Sequence, residues 1–267
     1  MLAAMTSPPK RPLQLIDAGD HRLEHAWIGR GRPGPVLVFL HEGLGSLSQW
    51  KDFPERLCDL TGLSGLVYSR RGYGASDPAV LPRGVGFMHE EARCDLPRVL
   101  AATGVEDAIL VGHSDGASIA LIYAGEGGGG IRGLALIAPH VMVEAMCVEE
   151  IARRRAEYGV TELREKLARH HTDVDATFHG WVDVWLHPDF RRWDIRPLLA
   201  GVRVPVLVVQ GADDAYGTLA QVDAVRSGVR GPAERLIVPG AGHSPQRDAP
   251  DEVLGAMARF ITVLTRT

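Results

Sequence analysis

An α/β fold with a mainly parallel sheet, covered by helices on both faces, is the fold class this sequence predicts. Three observations point to it. Short apolar runs rich in Val, Ile and Leu recur along the chain with little polar alternation: Val36-Val38-Leu40, Gly65-Val67-Tyr68, Ile109-Leu110-Val111, Leu134-Leu136-Ile137, Val206-Leu207-Val208-Val209 and Leu236-Ile237-Val238. Strands buried on both faces read this way. Longer stretches with helical periodicity separate them, at about 48–61, 88–103, 116–126, 218–229 and 251–264. Turn residues divide the two kinds of segment. Segments 11–16 and 22–28 read as an antiparallel pair at the N-terminus. Pro250, followed by Asp251 and Glu252, puts acids into the first turn of the last helix, where the helix dipole favours them.

With 267 residues and a formal net charge of −4, the chain has the apolar mass to fold without a metal or disulfide and lacks the basic surface of a nucleic-acid binder. Arg153, Arg154 and Arg155 lie among Glu149, Glu150 and Glu157 and read as a solvated helix face. The cysteines, Cys58, Cys94 and Cys147, are widely spaced and odd in number; each reads as a small core residue in a reducing compartment. Residues 1–12 carry three prolines and no long apolar stretch, so no signal peptide is expected. No apolar run approaches the roughly 20 residues of a membrane span. The expectation is a soluble, cytoplasmic protein with a small-molecule substrate and no membrane partner.

The alternation breaks once. From His140 to about Arg196 no strand is predicted, while Val148 to Tyr158, Glu162 to His171 and Asp175 to Leu186 read as helices. In a sheet of this kind such a segment is an insertion over the carboxyl edge of the strands. The expected organisation is a core domain formed by 1–139 and 197–267, with a helical lid, or cap, at 140–196. Gly127 to Gly130 lacks a following Lys-Ser/Thr and reads as a connector, not a phosphate loop.

Gly112-His113-Ser114-Asp115-Gly116 follows an apolar run and precedes a helical stretch. This is the G-x-S-x-G pattern in its strand-turn-helix setting. The tight turn forces the serine into a strained backbone conformation, and the glycines remove side chains that would clash there. The hydroxyl then stands at a helix N-terminus, whose N–H groups favour developing negative charge. Ser114 is therefore the candidate nucleophile. A serine hydroxyl needs a base, and His243, in a glycine-rich loop after the last strand, is the candidate. The base needs an orienting acid; Asp213 and Asp214, directly after the strand at 206–209, both qualify by position. The loop His41-Glu42-Gly43-Leu44-Gly45 can present a backbone N–H that, with the N–H of Asp115, forms an oxyanion hole.

Together with Ser69-Arg70-Arg71-Gly72-Tyr73-Gly74-Ala75-Ser76-Asp77, these motifs resemble in order those of the α/β-hydrolase superfamily, in the group with a helical cap after strand six. The resemblance covers essentially the whole chain. It implies an eight-stranded sheet, Asp214 as the acid, Gly43 as the oxyanion donor, and no cofactor. One departure is that relatives usually have glycine where this chain has Glu42, placing a carboxylate beside the oxyanion hole. The implied activity is hydrolysis of an ester-like acyl bond through an acyl-enzyme. Cleavage of a C–C bond in a ring-cleavage product, of a thioester or of a lactone is also open, as are a perhydrolase-type haloperoxidase side activity and a ligand receptor on the same fold. The serine argues against the haloalkane dehalogenase and epoxide hydrolase branches, which use aspartate there.

Other residues have plainer readings. Arg70 to Asp77 reads as a structural turn, and His41 as a brace for the oxyanion loop. His170, His171, Asp173, Asp175 and His179 match no zinc spacing, so no metal site is expected. Trp181 and Trp185, four apart on a predicted helix, and Trp193 either hold the insertion together or wall an apolar or aromatic substrate pocket.

Overall fold

The predicted apolar runs and the N-terminal pair form one eight-stranded sheet in a computed structural model that describes residues 13–266. The strands are β1 (Gln14–Asp17), β2 (Arg22–Ile28), β3 (Val36–Leu40), β4 (Gly65–Tyr68), β5 (Ala108–His113), β6 (Ile131–Ile137), β7 (Val206–Gly211) and β8 (Ala233–Val238). Their order across the sheet is β1-β2-β4-β3-β5-β6-β7-β8. The β1–β2 and β2–β4 pairs are antiparallel; the other pairs are parallel. The expectations for residues 1–12, including the absence of a signal peptide and the first two residues of the N-terminal pair, lie outside the described residues.

Alternation along the central strands divides the core in two. Val38, Leu40, Ala108 and Leu110 face one layer, and Leu37, Phe39, Ile109 and Val111 the other. Helices α1 (Phe53–Thr61) and α10 (Pro250–Thr265) cover the second layer. The first is covered by α2 (Phe87–Glu90), α3 (Leu96–Thr103), α4 (Asp115–Gly125) and α8 (Leu219–Gly228). The helix expected over 88–103 is continuous from α2 to α3 but widens into a π-helical turn at Glu91–Asp95. Helix α4 is apolar nearly all round, as a helix buried on every side must be.

Between β6 and β7 lie α5 (Ala145–Glu157), α6 (Leu163–Ala168) and α7 (Val174–Trp185). The insertion closes on itself where Ile195 N–H donates to the Val141 carbonyl at 2.9 Å, beside a bridge between Met142 and Asp194. Its aromatic core stacks Phe190 on Trp193 and sets Trp185 edge-on to Phe190, with Tyr158 stacked on Phe178. This core is continuous with the layer over the sheet. A short helix, α9 (Pro245–Asp248), precedes α10.

Two cysteines, Cys58 and Cys147, are core residues as expected, but Cys94 is exposed: it lies on the outward side of the π-helical turn. Among the described residues, no helix is long and apolar enough to cross a membrane, and no three His, Cys, Asp or Glu side chains converge as metal ligands.

His171 ties the insertion to the core. Its Nδ1 accepts the Gly74 N–H at 3.0 Å, and its Nε2 donates to the Leu44 carbonyl at 3.0 Å. The bond accepted at Nδ1 needs the neutral ring, and burial holds the pKa down to about 4. The unfolded chain therefore binds a proton at a pH where the native state does not. The stability this group contributes is complete above about 6.5 and is lost as pH falls toward 4. Chemical denaturation between pH 8 and pH 4 should show a loss of up to about 3 kcal/mol from this residue, and His171→Asn should flatten the curve over that window. An unchanged pH slope in the variant would show that His171 is not the responsible group.

Candidate active site

The site collects at the carboxyl ends of β3, β5, β6, β7 and β8, where loops in an open α/β sheet converge. The turn from β5 into α4 comes first. Ser114 holds φ 52° and ψ −118°, a conformation that L-residues rarely adopt. Close approach on both sides explains the flanking glycines. A Cβ at Gly112 would stand 2.6 Å from the Ala117 Cα, and one at Gly116 would stand 2.1 Å from the Leu40 carbonyl oxygen.

The Ser114 hydroxyl donates to His243 Nε2 at 2.9 Å, and His243 Nδ1–H donates to Asp214 Oδ2 at 2.8 Å. Asp214 also accepts from Gln210 Nε2 at 2.6 Å and from the Tyr216 N–H at 2.7 Å. Burial would raise its pKa, but the hydrogen bond from His243 holds the carboxyl below its usual range. The sequence left two acids open by position, and the contact is made by Asp214. Asp213 is exposed; its backbone N–H bonds the Ala241 carbonyl, while the turn N–H of Tyr216 goes to Asp214.

Gly43 and Asp115 both border the same cavity as Ser114 and His243. Among the described residues, no protein acceptor takes the N–H of Gly43 or of Asp115. The loop carrying Gly43 is braced from below. His41 Nδ1–H donates to the Glu42 carbonyl at 2.7 Å, Arg70 Nη2 donates to the same oxygen at 3.0 Å, and the Arg70 N–H reaches His41 Nε2 at 2.9 Å. Arg70 thus does more than shape a turn: Glu91 holds its guanidinium through two 3.0 Å bonds, and Glu91 also takes Arg83 at 3.2 Å.

Glu42, the departure from the usual glycine, is neutralised in place. Arg247 Nη2 donates to its Oε1 at 3.0 Å, and His113 lies 3.4 Å from Oε2. Burial would raise this carboxyl, but His113 and Arg247 hold it far below the ordinary range. His113 in turn donates to the His243 carbonyl at 2.8 Å, linking the serine turn to the histidine loop.

The cavity, of about 420 Å³, is walled by Trp181, Trp185, Cys147 and Ile151 from the insertion. Trp181 and Trp185 line the cavity, Trp193 does not, and Trp185 is also part of the insertion's aromatic core. Arg153 and Arg154 correct the reading of a purely solvated face. They border the cavity mouth, held by Glu150 and Glu157, with Arg154 Nε also 3.1 Å from the Tyr216 hydroxyl. Two cavity residues went unread in the sequence. His140 stands just past β6 at the carboxyl edge, its pKa pushed by burial down to about 3, and Tyr216 packs 4.6 Å from the His243 ring. Their places immediately after β6 and Asp214 were the available signal. The five residues weighed for a metal are engaged apart from one another: His170 with Ser48, His171 with the Gly74 turn, Asp173 at the start of α7, and Asp175 with Arg164 and Tyr158. His179 lies 4.0 Å from Asp183.

A parallel sheet with this order, a serine at the turn after β5 and a helical insertion after β6 define the class, and sequence comparison agrees. Residues 37–256 match the alpha/beta hydrolase family, and the chain belongs to it. Among curated proteins it is similar to 2-succinyl-6-hydroxy-2,4-cyclohexadiene-1-carboxylate synthase of Salmonella paratyphi A, 32% identical over 162 residues, which cover 59% of this chain and 57% of the synthase. It is similar over a shorter stretch to epoxide hydrolase A of Mycobacterium tuberculosis, 33% identical over 82 residues, 30% of this chain and 26% of that protein. The matches thus span little more than half of the synthase and about a quarter of the epoxide hydrolase. Among solved structures, the enol-lactonase of Burkholderia xenovorans LB400 superposes with a TM-score of 0.74 at 18% identity, covering 93% of this chain and 100% of that one. A thermophilic esterase from Thermogutta terrifontis does so with 0.73 at 21%, covering 96% and 100%. At such identities the likeness is one of fold.

The serine turn leaves no room for a larger residue at Gly116. Gly116→Ala drives a methyl group against the Leu40 carbonyl, and main chain on both sides must move. A loss of about 1–3 kcal/mol is expected, typical of overpacking, with a lowered melting temperature. A variant as stable as the parent would show that α4 can shift away from β3 without penalty.

Proposed function

We propose that the chain is a serine hydrolase that cleaves an ester-like acyl bond of a small, uncharged substrate through an acyl-enzyme on Ser114. The observation that carries this reading is the unbroken hydrogen-bonded series Ser114–His243–Asp214 at the floor of a cavity, with the free N–H groups of Gly43 and Asp115 beside it. Ser114 Oγ attacks the carbonyl carbon while His243 Nε2 takes its proton. Asp214 fixes the tautomer and stabilises the imidazolium. The two N–H groups hold the oxyanion. The protonated His243 then releases the alcohol, and a water activated by the same ring frees the acyl group. No cofactor enters this scheme. The insertion at 140–196 acts as a cap on the core of 1–139 and 197–267, and Trp181 and Trp185 present the apolar or aromatic wall. Three free cysteines fit a reducing, cytoplasmic setting.

Cavity charge separates this reading from the activity named for the synthase relative, whose product is a carboxylate. Asp115, Asp213 and Asp248 border the cavity, while its arginines, Arg153 and Arg154, are already paired with Glu150 and Glu42 is paired with Arg247. A second negative charge entering there meets repulsion without a free guanidinium to receive it. Neutral acyl esters, thioesters and lactones fit better than a ring-cleavage product bearing carboxylates.

A fluorophosphonate probe should label Ser114 alone, as read by peptide mapping, and Ser114→Ala should lose about 10⁶-fold in turnover of phenyl esters with its circular dichroism unchanged. Asp214→Asn should lose about 10⁴-fold, and Asp213→Asn much less. Retained turnover in folded Ser114→Ala protein would end the serine mechanism; a crippled Asp213→Asn would move the acid role by one residue.

A further inference from the structure

The oxyanion role proposed for Asp115 uses only its backbone N–H, which any residue would supply. Its side chain is therefore free of that duty, yet it is a carboxyl group, 1% exposed, on a residue that borders the cavity one position from Ser114. Neither carboxyl oxygen has a hydrogen-bond partner. Arg70 Nη2 is 3.8 Å from Oδ2, beyond hydrogen-bond range, and that guanidinium is committed to Glu91 and the Glu42 carbonyl. Burial pushes the Asp115 pKa up to about 6, against the pull of Arg70. A buried acceptor left unpaired costs more than its absence would.

The surroundings describe what would satisfy it. Asp115 Oδ2 stands 3.1 Å from the point a Cβ on Gly43 would occupy, so the carboxyl lies against the oxyanion loop, and the Trp181 indole nitrogen lies 2.2 Å from the same point. The Trp185 indole N–H is turned toward the Asp115 carboxyl and draws its pKa down, but it does not come within full hydrogen-bond geometry of that carboxyl or of any other acceptor. An unpaired acceptor and an unpaired donor thus share one wall. A group that donates to the first and accepts from the second is a hydroxyl; an ammonium can only donate. Charge agrees. Beneath the loop, Arg70 and Arg83 face Glu91 and Asp115 in equal number, so a neutral group leaves the buried set balanced and a cation does not.

We propose that Asp115 and Trp185 form a subsite for a hydroxyl group carried on the acyl portion of the substrate, close to the scissile carbonyl, which makes hydroxyacyl esters the preferred substrate class. This rests on the serine hydrolase reading above.

The test compares matched substrates: phenyl 3-hydroxybutyrate with phenyl butyrate, phenyl lactate with phenyl propionate, and phenyl alaninate as the ammonium arm. The hydroxyl should raise kcat/KM at least tenfold in one of the two hydroxy pairs, mainly through KM. Asp115→Leu should bring that ratio close to one, and Asp115→Asn, which keeps an acceptor oxygen, should retain part of it and serves if the leucine variant does not fold. Binding is read separately by calorimetry on Ser114→Ala protein with 3-hydroxybutyramide and butyramide. The hydroxyl should tighten binding about tenfold, and adding Asp115→Asn should reduce that gain. Esters turned over with no hydroxyl preference, a preference that survives Asp115→Leu, or a larger gain for the alaninate would overturn the subsite, leaving the carboxyl as the anchor of buried water. No ester turned over, but 3-hydroxybutyramide bound in preference, would overturn the hydrolase reading and leave the subsite standing. Neither turnover nor preferential binding would overturn both.

Discussion

The chain reversal at Ser114 is the constraint on which the rest of the site depends. It is held by backbone packing: Gly116 lies against the Leu40 carbonyl, and Gly112 against the start of α4. That contact places the end of β5 beside the end of β3, so the turn and the Gly43 loop share one boundary. From the same turn, Ser118 Oγ donates to the His140 carbonyl at 2.6 Å, and His113 Nε2 donates to the His243 carbonyl. One strained turn thereby sets the positions of the loops after β3, β6 and β8. Strain of this kind persists only where neighbours over-determine it, and here three loops do so.

Around the turn, several polar side chains are buried and tied to structure. Arg70 is nearly inaccessible, yet its Nη1 donates to Glu91 and its Nη2 to the Glu42 carbonyl in the Gly43 loop. A hydrophobic replacement of that pair would remove a desolvation cost, but it would also release the loop. The pair is therefore better understood as fixing geometry than as adding stability. Glu42 follows the same logic. Its carboxylate lies beside the Gly43 loop, the proposed oxyanion donor, and Arg247 and His113 offset its charge locally.

The sheet and the serine turn were legible because their signals are local. Apolar runs of strand length and glycines two residues either side of a serine survive as text whatever the rest of the chain does. By position alone the candidate acid was a choice between neighbours, since Asp213 and Asp214 follow the same strand, and only the family resemblance pointed to Asp214. His140, Tyr216 and the cavity role of Arg154 were not read, because their meaning lies in contacts across the fold. His140 packs on Trp185 and His243, and Arg154 reaches Tyr216, 62 residues away. Cys94 was misread for a related reason: the π-helical turn rotates it outward, and no periodicity in the sequence announces that turn.

The insertion makes stability and selectivity hard to separate. Trp185 packs on Phe190 and Trp193, lines the cavity, and directs its indole toward Asp115. Truncating it would open a cavity in the insertion's core, costing several kcal/mol on the scale of about 3–5 for a large aromatic. Any change in substrate preference would then arrive with a loosened wall. Asp115 is a cleaner handle on the same wall. It projects from α4, whose packing is held by the apolar residues that follow it, and its oxygens make no hydrogen bond that substitution would break. A change there alters the chemistry presented to a ligand while leaving the insertion's aromatic core in place. In this fold the rigid turn therefore carries both the proposed nucleophile and the side chain proposed to select what reaches it.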